Sequence, residues 1–472
     1  MRKILMPILA GVFVWPGFVS GDDWPLKPFG EQHQINSTFA EYRTGHFHQG
    51  VDIEPFGGGS SDSLWLVYSV LSDTAYHTNG ANPGVRVGKY YYIHLTNRVD
   101  DATYIAAFED TIGRIQASKA HLHFHWTSRY PPIVDTVFNP LWPSGLSPYV
   151  DSTNPHIDSI LFYRQGFADS LLSDTLGPDT LERKVDILCV AGDFRTDTLG
   201  HCPTPDSGNV SVYRIEYEVR RILSDTTDTL LRSWQKITFD TIPNPSDTVQ
   251  LNRTYGPGSS SSHFRYWVSN DPFNPDSSKR DWYWNTKQKD SIPSLPDSVD
   301  AESVDVAKFP RGNYRVKVFA YDIGGNSDVD SVQVYVDNFG PRVDSVFPAD
   351  SATNVPIGTN IEVKFNEPMD QNVTLNSVIT FSPGASVSWQ WLDSTKVRGT
   401  PNPSLEPGTN YSVTIHASVG SDSLTDIVGH LFDGDRNGVP GGDYQWSFET
   451  GDSDTTLGWP IPPPMGRCEN KP

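Results

Sequence analysis

His46-Phe47-His48-Gln49-Gly50-Val51-Asp52 and, about seventy residues later, His121-Leu122-His123-Phe124-His125 are the two stretches on which the reading of this chain turns. Eight of its 13 histidines fall within the first 125 of 472 residues. In an extended strand, residues two apart point to the same side. His121, His123 and His125 are therefore expected to line one face while Leu122 and Phe124 enter a core. His48, Gly50 and Asp52 share a face in the same way, with Gly50 placing no side chain between the two donors. A catalytic zinc takes three protein ligands from His, Asp or Glu and keeps a fourth position for water. His48, Asp52 and one histidine of the second cluster make such a set, and the other histidine of that cluster is left to act as a base. Each motif alone is also what a polar strand face would carry; it is their pairing, with His94 between them, that points to a metal.

These residues resemble the lysostaphin/LytM-type zinc metallopeptidases, which cut peptide cross-links of bacterial peptidoglycan. The family's His-x(3)-Asp reads His48 to Asp52 here, its Tyr-x-His-Leu segment reads Tyr92-Ile93-His94-Leu95, and its closing motif reads His121-Leu122-His123-Phe124. The lead-in Ser37 to Arg43 and the run Leu66 to Val70 match as well, so the resemblance covers roughly residues 30 to 130. It implies that His48, Asp52 and His123 hold Zn2+, that His121 is the general base, and that His94 polarises the water or steadies the oxyanion. There are departures. Arg114 to Ala120 stands where the family has a glycine-rich run, His125 replaces an acidic residue, and Gly57-Gly58-Gly59-Ser60-Ser61 interrupts the segment after Asp52. They leave the metal set intact and bear on substrate choice. His46 and His125 read as outer partners of the site, as its rim, or as surface histidines.

The chain is too long for one core. The expected organisation is mainly β: a signal peptide at 1–21, an antiparallel β metallopeptidase domain at 22–145, a β-sandwich region at 146–338, a bacterial Ig-like domain at 339–451 and a Pro-rich tail at 452–472. The basic start, the apolar run Ile4 to Val19 and the small residues around Gly21 describe a secretory signal, so the chain is expected to be exported (periplasmic, cell surface or secreted). No other apolar stretch approaches the ~20 residues of a membrane span. Tyr130-Pro131-Pro132 and Asn139 to Pro143 mark a linker. Beyond it, alternating runs at 185–190, 210–219, 314–321 and 331–336, separated by turn residues, have the sandwich pattern. From Gly340 onward, Pro341 to Asp350, Leu405 to Tyr411 and Trp446 to Thr450 resemble a bacterial Ig-like module.

With 36 basic and 57 acidic residues the formal charge is −21, which excludes nucleic acid as a partner. The acid is dispersed in Asp-Ser and Asp-Thr pairs such as Ser173-Asp174-Thr175, a solubilising surface. Cys189 and Cys202 are either a local bridge or two thiols, with Cys468 left over. Asp281-Trp282-Tyr283-Trp284-Asn285 offers sugar-stacking or core aromatics. Asp433-Gly434-Asp435-Arg436-Asn437-Gly438 matches the opening of a calcium loop, with Asp433, Asp435 and Asn437 as ligands, or is a plain Asp/Gly turn; its twelfth position is Tyr444 rather than Glu. The functional expectation is an exported zinc metalloendopeptidase acting on peptidoglycan peptides. The rivals are a catalytically silent relative that binds the wall or regulates its hydrolases, and an adhesive surface protein built on the Ig-like modules.

Overall fold

The structure, a computed structural model, describes residues 22–55, 65–78, 80–128, 136–142, 145–164, 180–182, 184–194, 209–224, 227–233, 237–277, 280–281, 283–286, 309–437 and 439–452. The expected signal peptide, the Gly57–Ser61 loop, Tyr130-Pro131-Pro132, Ser173–Thr175, Trp282, Gly438, Cys202, Cys468 and the tail from 453 lie outside them. The chain is mainly β and divides into two compact units.

The first unit takes residues 1–175, 184–285 and 313–334. Its N-terminal part runs β1 (Ile35–Ser37), β2 (Tyr42–Arg43), β3 (His46–Phe47), β4 (Val51–Ile53), β5 (Leu66–Tyr68), β6 (Asp73–Thr78), β7 (Gly84–Val87), β8 (Tyr90–Ile93), β9 (Leu95–Thr96), β10 (Thr103–Ile105), β11 (Thr111–Ile115), β12 (Leu122–Thr127) and β13 (Val137–Phe138). The main sheet is ordered β1-β4-β12-β8-β7-β6-β10 with all neighbours antiparallel, and β5-β11-β9 form a smaller sheet. Period-2 alternation explains β8: Tyr90 and Tyr92 are buried while Tyr91 and Ile93 face the other side. The rings of Tyr90 and Tyr92 pack 5.0 and 5.3 Å from that of Phe124 on β12. The Tyr92 hydroxyl is satisfied inside the core by the Val70 N–H at 2.9 Å.

The boundary expected at 145/146 is crossed by strand pairing, because β13 runs antiparallel to Thr241–Ile242. Phe47 also packs 6.0 Å from both Tyr255 and Phe273. The N-terminal sheet and the β region after it therefore share one compact unit. In that region the strand Lys184–Phe194 pairs with His156–Arg164, and Arg214–Ser224 lies between Gly312–Tyr321 and Thr227–Ser233. Cys189 is fully buried in the first of these and unbridged among the described residues. Trp284 is a core residue, 0 % exposed, and its ring lies 6.0 Å from that of Tyr314.

The second unit takes residues 176–183, 286–312 and 335–472. Two four-stranded sheets form its sandwich. One is ordered Val343–Phe347, Ile361–Phe365, Lys396–Pro401, Val387–Asp393; the other Ala352–Val355, Tyr444–Thr450, Asn410–Ile415, Ile379–Ser382. Alternate residues of the central strands, among them Ile361, Val363, Phe365, Tyr411, Val413 and Ile415, fill the space between the sheets. No described helix is long and apolar enough to cross a membrane.

Candidate metal centre

The register of three strands builds the site. Asp52 on β4 stands opposite His123 on β12, and His123 stands opposite Ile93 on β8. Same-face neighbours across such a ladder bring their side chains together. His48, just before β4, reaches the same point. Its Nε2 lies 3.0 Å from His123 Nδ1 and 3.2 Å from Asp52 Oδ1, and His123 Nδ1 lies 3.0 Å from that same oxygen. A tetrahedral ion with ligand bonds of about 2.0–2.1 Å spaces its donors roughly 3.3 Å apart. The three donor atoms thus already stand at nearly the edge lengths of a zinc tetrahedron, and two imidazoles with one carboxylate are the donor chemistry zinc takes. The residues fit the ion.

Outer contacts hold these ligands. His48 Nδ1 donates to the Thr38 carbonyl at 2.7 Å, which turns the Nε2 lone pair toward Asp52 and His123. The buried Glu41 carboxylate accepts the Thr38 N–H at 2.6 Å and pairs with Arg43 at 2.9 Å, tying the Thr38 turn to the cleft wall. Burial drives the Asp52 carboxyl upward, but the His48 and His123 imidazoles outweigh it and hold it well below the usual carboxylate range. For His48 burial disfavours the charge, and the Asp52 carboxylate more than restores it, so its pKa is raised. His123 is lowered by burial.

His121 sits beside the ligands, its Nε2 3.7 Å from Asp52 Oδ1 and its side chain 25 % exposed. Its ring lies 5.0 Å from that of His94, edge to face. His94 adopts φ 71°, a left-handed conformation that a histidine holds only where the surroundings impose it. Its Nδ1 is buried without a hydrogen-bond partner, and burial followed by the nearby His121 and His123 brings its pKa down to about 4. His94 thus remains a neutral donor or acceptor at the edge of an open cleft of about 380 Å³ lined also by Arg43, Gln49, Thr78 and Asn82.

The remaining motif residues separate. His46 is exposed on the β2–β3 hairpin and forms the rim. His125 is not a surface histidine: it is 8 % exposed, stacks on Tyr91 with centroids 4.5 Å apart, and lies one register step beyond His123 on the same face. Gly50 serves a purpose other than the one its position suggested. A Cβ there would lie 2.1 Å from the Phe124 carbonyl oxygen, so glycine is needed for β12 to approach. Thr38 and Glu41 fall within the lead-in Ser37 to Arg43 that matched the family, but nothing in the sequence assigned them a role, the first because it acts through its carbonyl and the second because only the fold brings it behind His48. In the Ig-like unit, Asn437 N–H donates to Asp433 at 3.1 Å and Asp435 at 3.3 Å, while Asn437 Oδ1 accepts from Val439 N–H at 2.7 Å. These loop oxygens are engaged as in an Asx turn. Asp443 beside the twelfth position pairs with His416 at 2.7 Å.

No curated protein matches the chain. Among solved structures, an L,D-transpeptidase in complex with imipenem is 24 % identical over 24 % of this chain and 40 % of that one, TM-score 0.16. The L,D-transpeptidase from Mycobacterium smegmatis is 20 % identical over 24 % and 40 %, TM-score 0.16. L,D-transpeptidase 3 from Mycobacterium tuberculosis is 15 % identical over 27 % and 53 %, TM-score 0.17. This chain thus spans 40 to 53 % of the length of those proteins, and likenesses at such scores carry no argument about its site. The family described as bacterial Ig-like domain matches residues 337–450 and does not reach the histidine clusters. The eight strands of the sandwich fall within that match, and residues 337–450 are a bacterial Ig-like domain.

Proposed function

We propose that the chain is an exported zinc metalloendopeptidase that hydrolyses peptide cross-links of peptidoglycan, with its β regions placing the cleft at the bacterial envelope. The observation that carries this reading is the convergence of His48 Nε2, Asp52 Oδ1 and His123 Nδ1 at 3.0–3.2 Å. A zinc ion held there supplies Lewis-acid polarisation of the scissile carbonyl and brings the pKa of water to about 7. His121, whose Nε2 lies 3.7 Å from Asp52 Oδ1 and whose side chain is partly exposed, takes the proton of the attacking water and returns it to the leaving amine. His94, facing His121, donates a hydrogen bond to the developing oxyanion. Thr38 and Glu41 keep His48 oriented throughout. The open cleft, lined by polar side chains, suits an extended peptide more than a small buried ligand. The resemblance to LytM-type peptidases supplies the substrate class.

The test is a mass-spectrometric digest of purified peptidoglycan with and without chelator. Wild type is expected to release cross-bridge fragments only without chelator. His121→Ala should keep its zinc and lose on the order of 10²–10⁴ in rate, while His123→Ala should lose the zinc itself. A wild type that carries zinc and cuts no muropeptide shifts the assignment to a wall-binding or regulatory relative.

A further inference from the structure

Three histidines follow one another at alternate positions from His121 through β12, and the chemistry above uses only two of them. His125 comes after His123 on the same face, opposite Tyr91 of β8, its ring centroid 5.3 Å from that of His123. On its other side stands Gly50, where a Cβ would lie 2.6 Å from the His125 Cβ, so no side chain from that neighbour covers the ring. His125 is 8 % exposed and lines the cleft together with Arg43, Gln49 and His48.

A buried histidine that serves packing alone finds partners for its nitrogens. His33 is such a residue: it is fully buried, with Nδ1 3.3 Å from the Glu54 carbonyl and Nε2 3.1 Å from that of Leu26. His125 has no such partners. Its Nδ1 is buried without a hydrogen bond, and its contacts among the described residues are the rings of Tyr91 and His123. A buried N–H without an acceptor is rarer and costlier than a buried lone pair. The proton therefore belongs on Nε2, the nitrogen left for the cleft. The Tyr91 ring, 4.5 Å away and 13° from parallel, fixes the imidazole plane and with it the direction of that N–H.

We propose, on the peptidase reading of this cleft, that His125 is a substrate-binding residue. Its Nε2–H donates to a main-chain carbonyl of the peptide, two residues before the one that bears the scissile carbonyl. Residues two apart on a strand are about 7 Å apart, and an extended peptide lying along β12 advances at the same rate. With the scissile carbonyl at the metal beside His123, the peptide two residues on passes over His125. His121 lies on the other side of His123 and returns its proton to the leaving amine, so His125 serves the acyl half of the substrate. Its N–H selects peptides that extend at least that far before the cut.

The experiment is steady-state kinetics on two synthetic peptides spanning the bond located by the peptidoglycan digest. One is full length; the other keeps only the residue bearing the scissile carbonyl and the one before it. Zinc content and thermal midpoint are recorded for every variant. Wild type should lose about tenfold in kcat/KM on the shortened peptide. His125→Phe keeps a ring against Tyr91 without the donor; it should raise KM for the full peptide about tenfold, leave kcat within about twofold, and no longer distinguish the two peptides. His125→Leu, smaller and also without a donor, should do the same if the Phe ring does not fit. His125→Gln, whose amide N–H falls near the place of Nε2, should recover KM to within about threefold. All should hold about one zinc per chain. The proposal is overturned if the donor-free variants keep the wild-type KM and still discriminate by length, if His125→Gln is as impaired as they are, or if the variants lose zinc. A wild type that cuts no peptide overturns the peptidase reading and this assignment with it, whereas a wild type that cuts and is matched by His125→Phe overturns this assignment alone.

Discussion

At the residue scale the molecule relies on a few side chains whose replacement should have separable effects. Gly50 is the sharpest case. A methyl group there meets the Phe124 carbonyl at 2.1 Å and the His125 Cβ at 2.6 Å, so either β4 or β12 must move. Gly50→Ala should therefore cost roughly 1–3 kcal/mol in denaturant unfolding and weaken zinc binding as well, since Asp52 and His123 sit on the two strands that part. Wild-type stability in this variant would show that the backbones are not so close. Asp52 and His123 were legible because period-2 alternation needs only local sequence, and both stand on strands with their side chains on one face; His94 received its role only through the resemblance and lies between two strands at φ 71°. The reason for Gly50 was not legible: the carbonyl it accommodates lies on a strand more than seventy residues away. Thr38 was hidden because a backbone carbonyl has no signature in side-chain identity.

At the scale of elements, pairing across long separations decides what sits together. The strand Thr180–Leu181 runs parallel to Tyr335–Val336, and residues 176–183 join the second unit although 184–285 belong to the first. Alternating runs announced the strands, but nothing local announces which distant strand each will join, so a linear division at 145 and 338 could not anticipate this interleaving. One consequence lies within the second unit. His430 Nδ1 is 3.0 Å from Asp426 and its Nε2 is 3.4 Å from Glu182. Burial opposes the charge, but hydrogen bonds to Asp426 and Glu182 dominate and raise its pKa to about 10. Because the folded pKa exceeds the ordinary value of about 6.5, this stabilisation is fully present below that value and is lost as pH rises through about 10. Unfolding of wild type and His430→Gln should therefore differ by about 1–3 kcal/mol at neutral pH and converge above pH ~10. A difference that persists at high pH would assign His430 a packing role instead.

At the scale of the whole chain, a β scaffold carries a cleft whose His48, Asp52 and His123 could hold a metal ion in one unit and a bacterial Ig-like domain in the other. The mainly β class and the Ig-like module were readable from turn residues and short alternating runs. The net charge of −21 gives no general attraction to an anionic wall, so under the proposed function recognition of peptidoglycan would have to come from the cleft and the β regions. The most direct test of the account is the zinc content of the purified chain, measured by elemental analysis on wild type, His48→Ala, Asp52→Ala and His123→Ala. About one zinc per chain in wild type, lost in each of the three variants while His125→Ala retains it, is the expected result. A wild type that takes up no zinc, or three variants that still hold it, would contradict the metal centre.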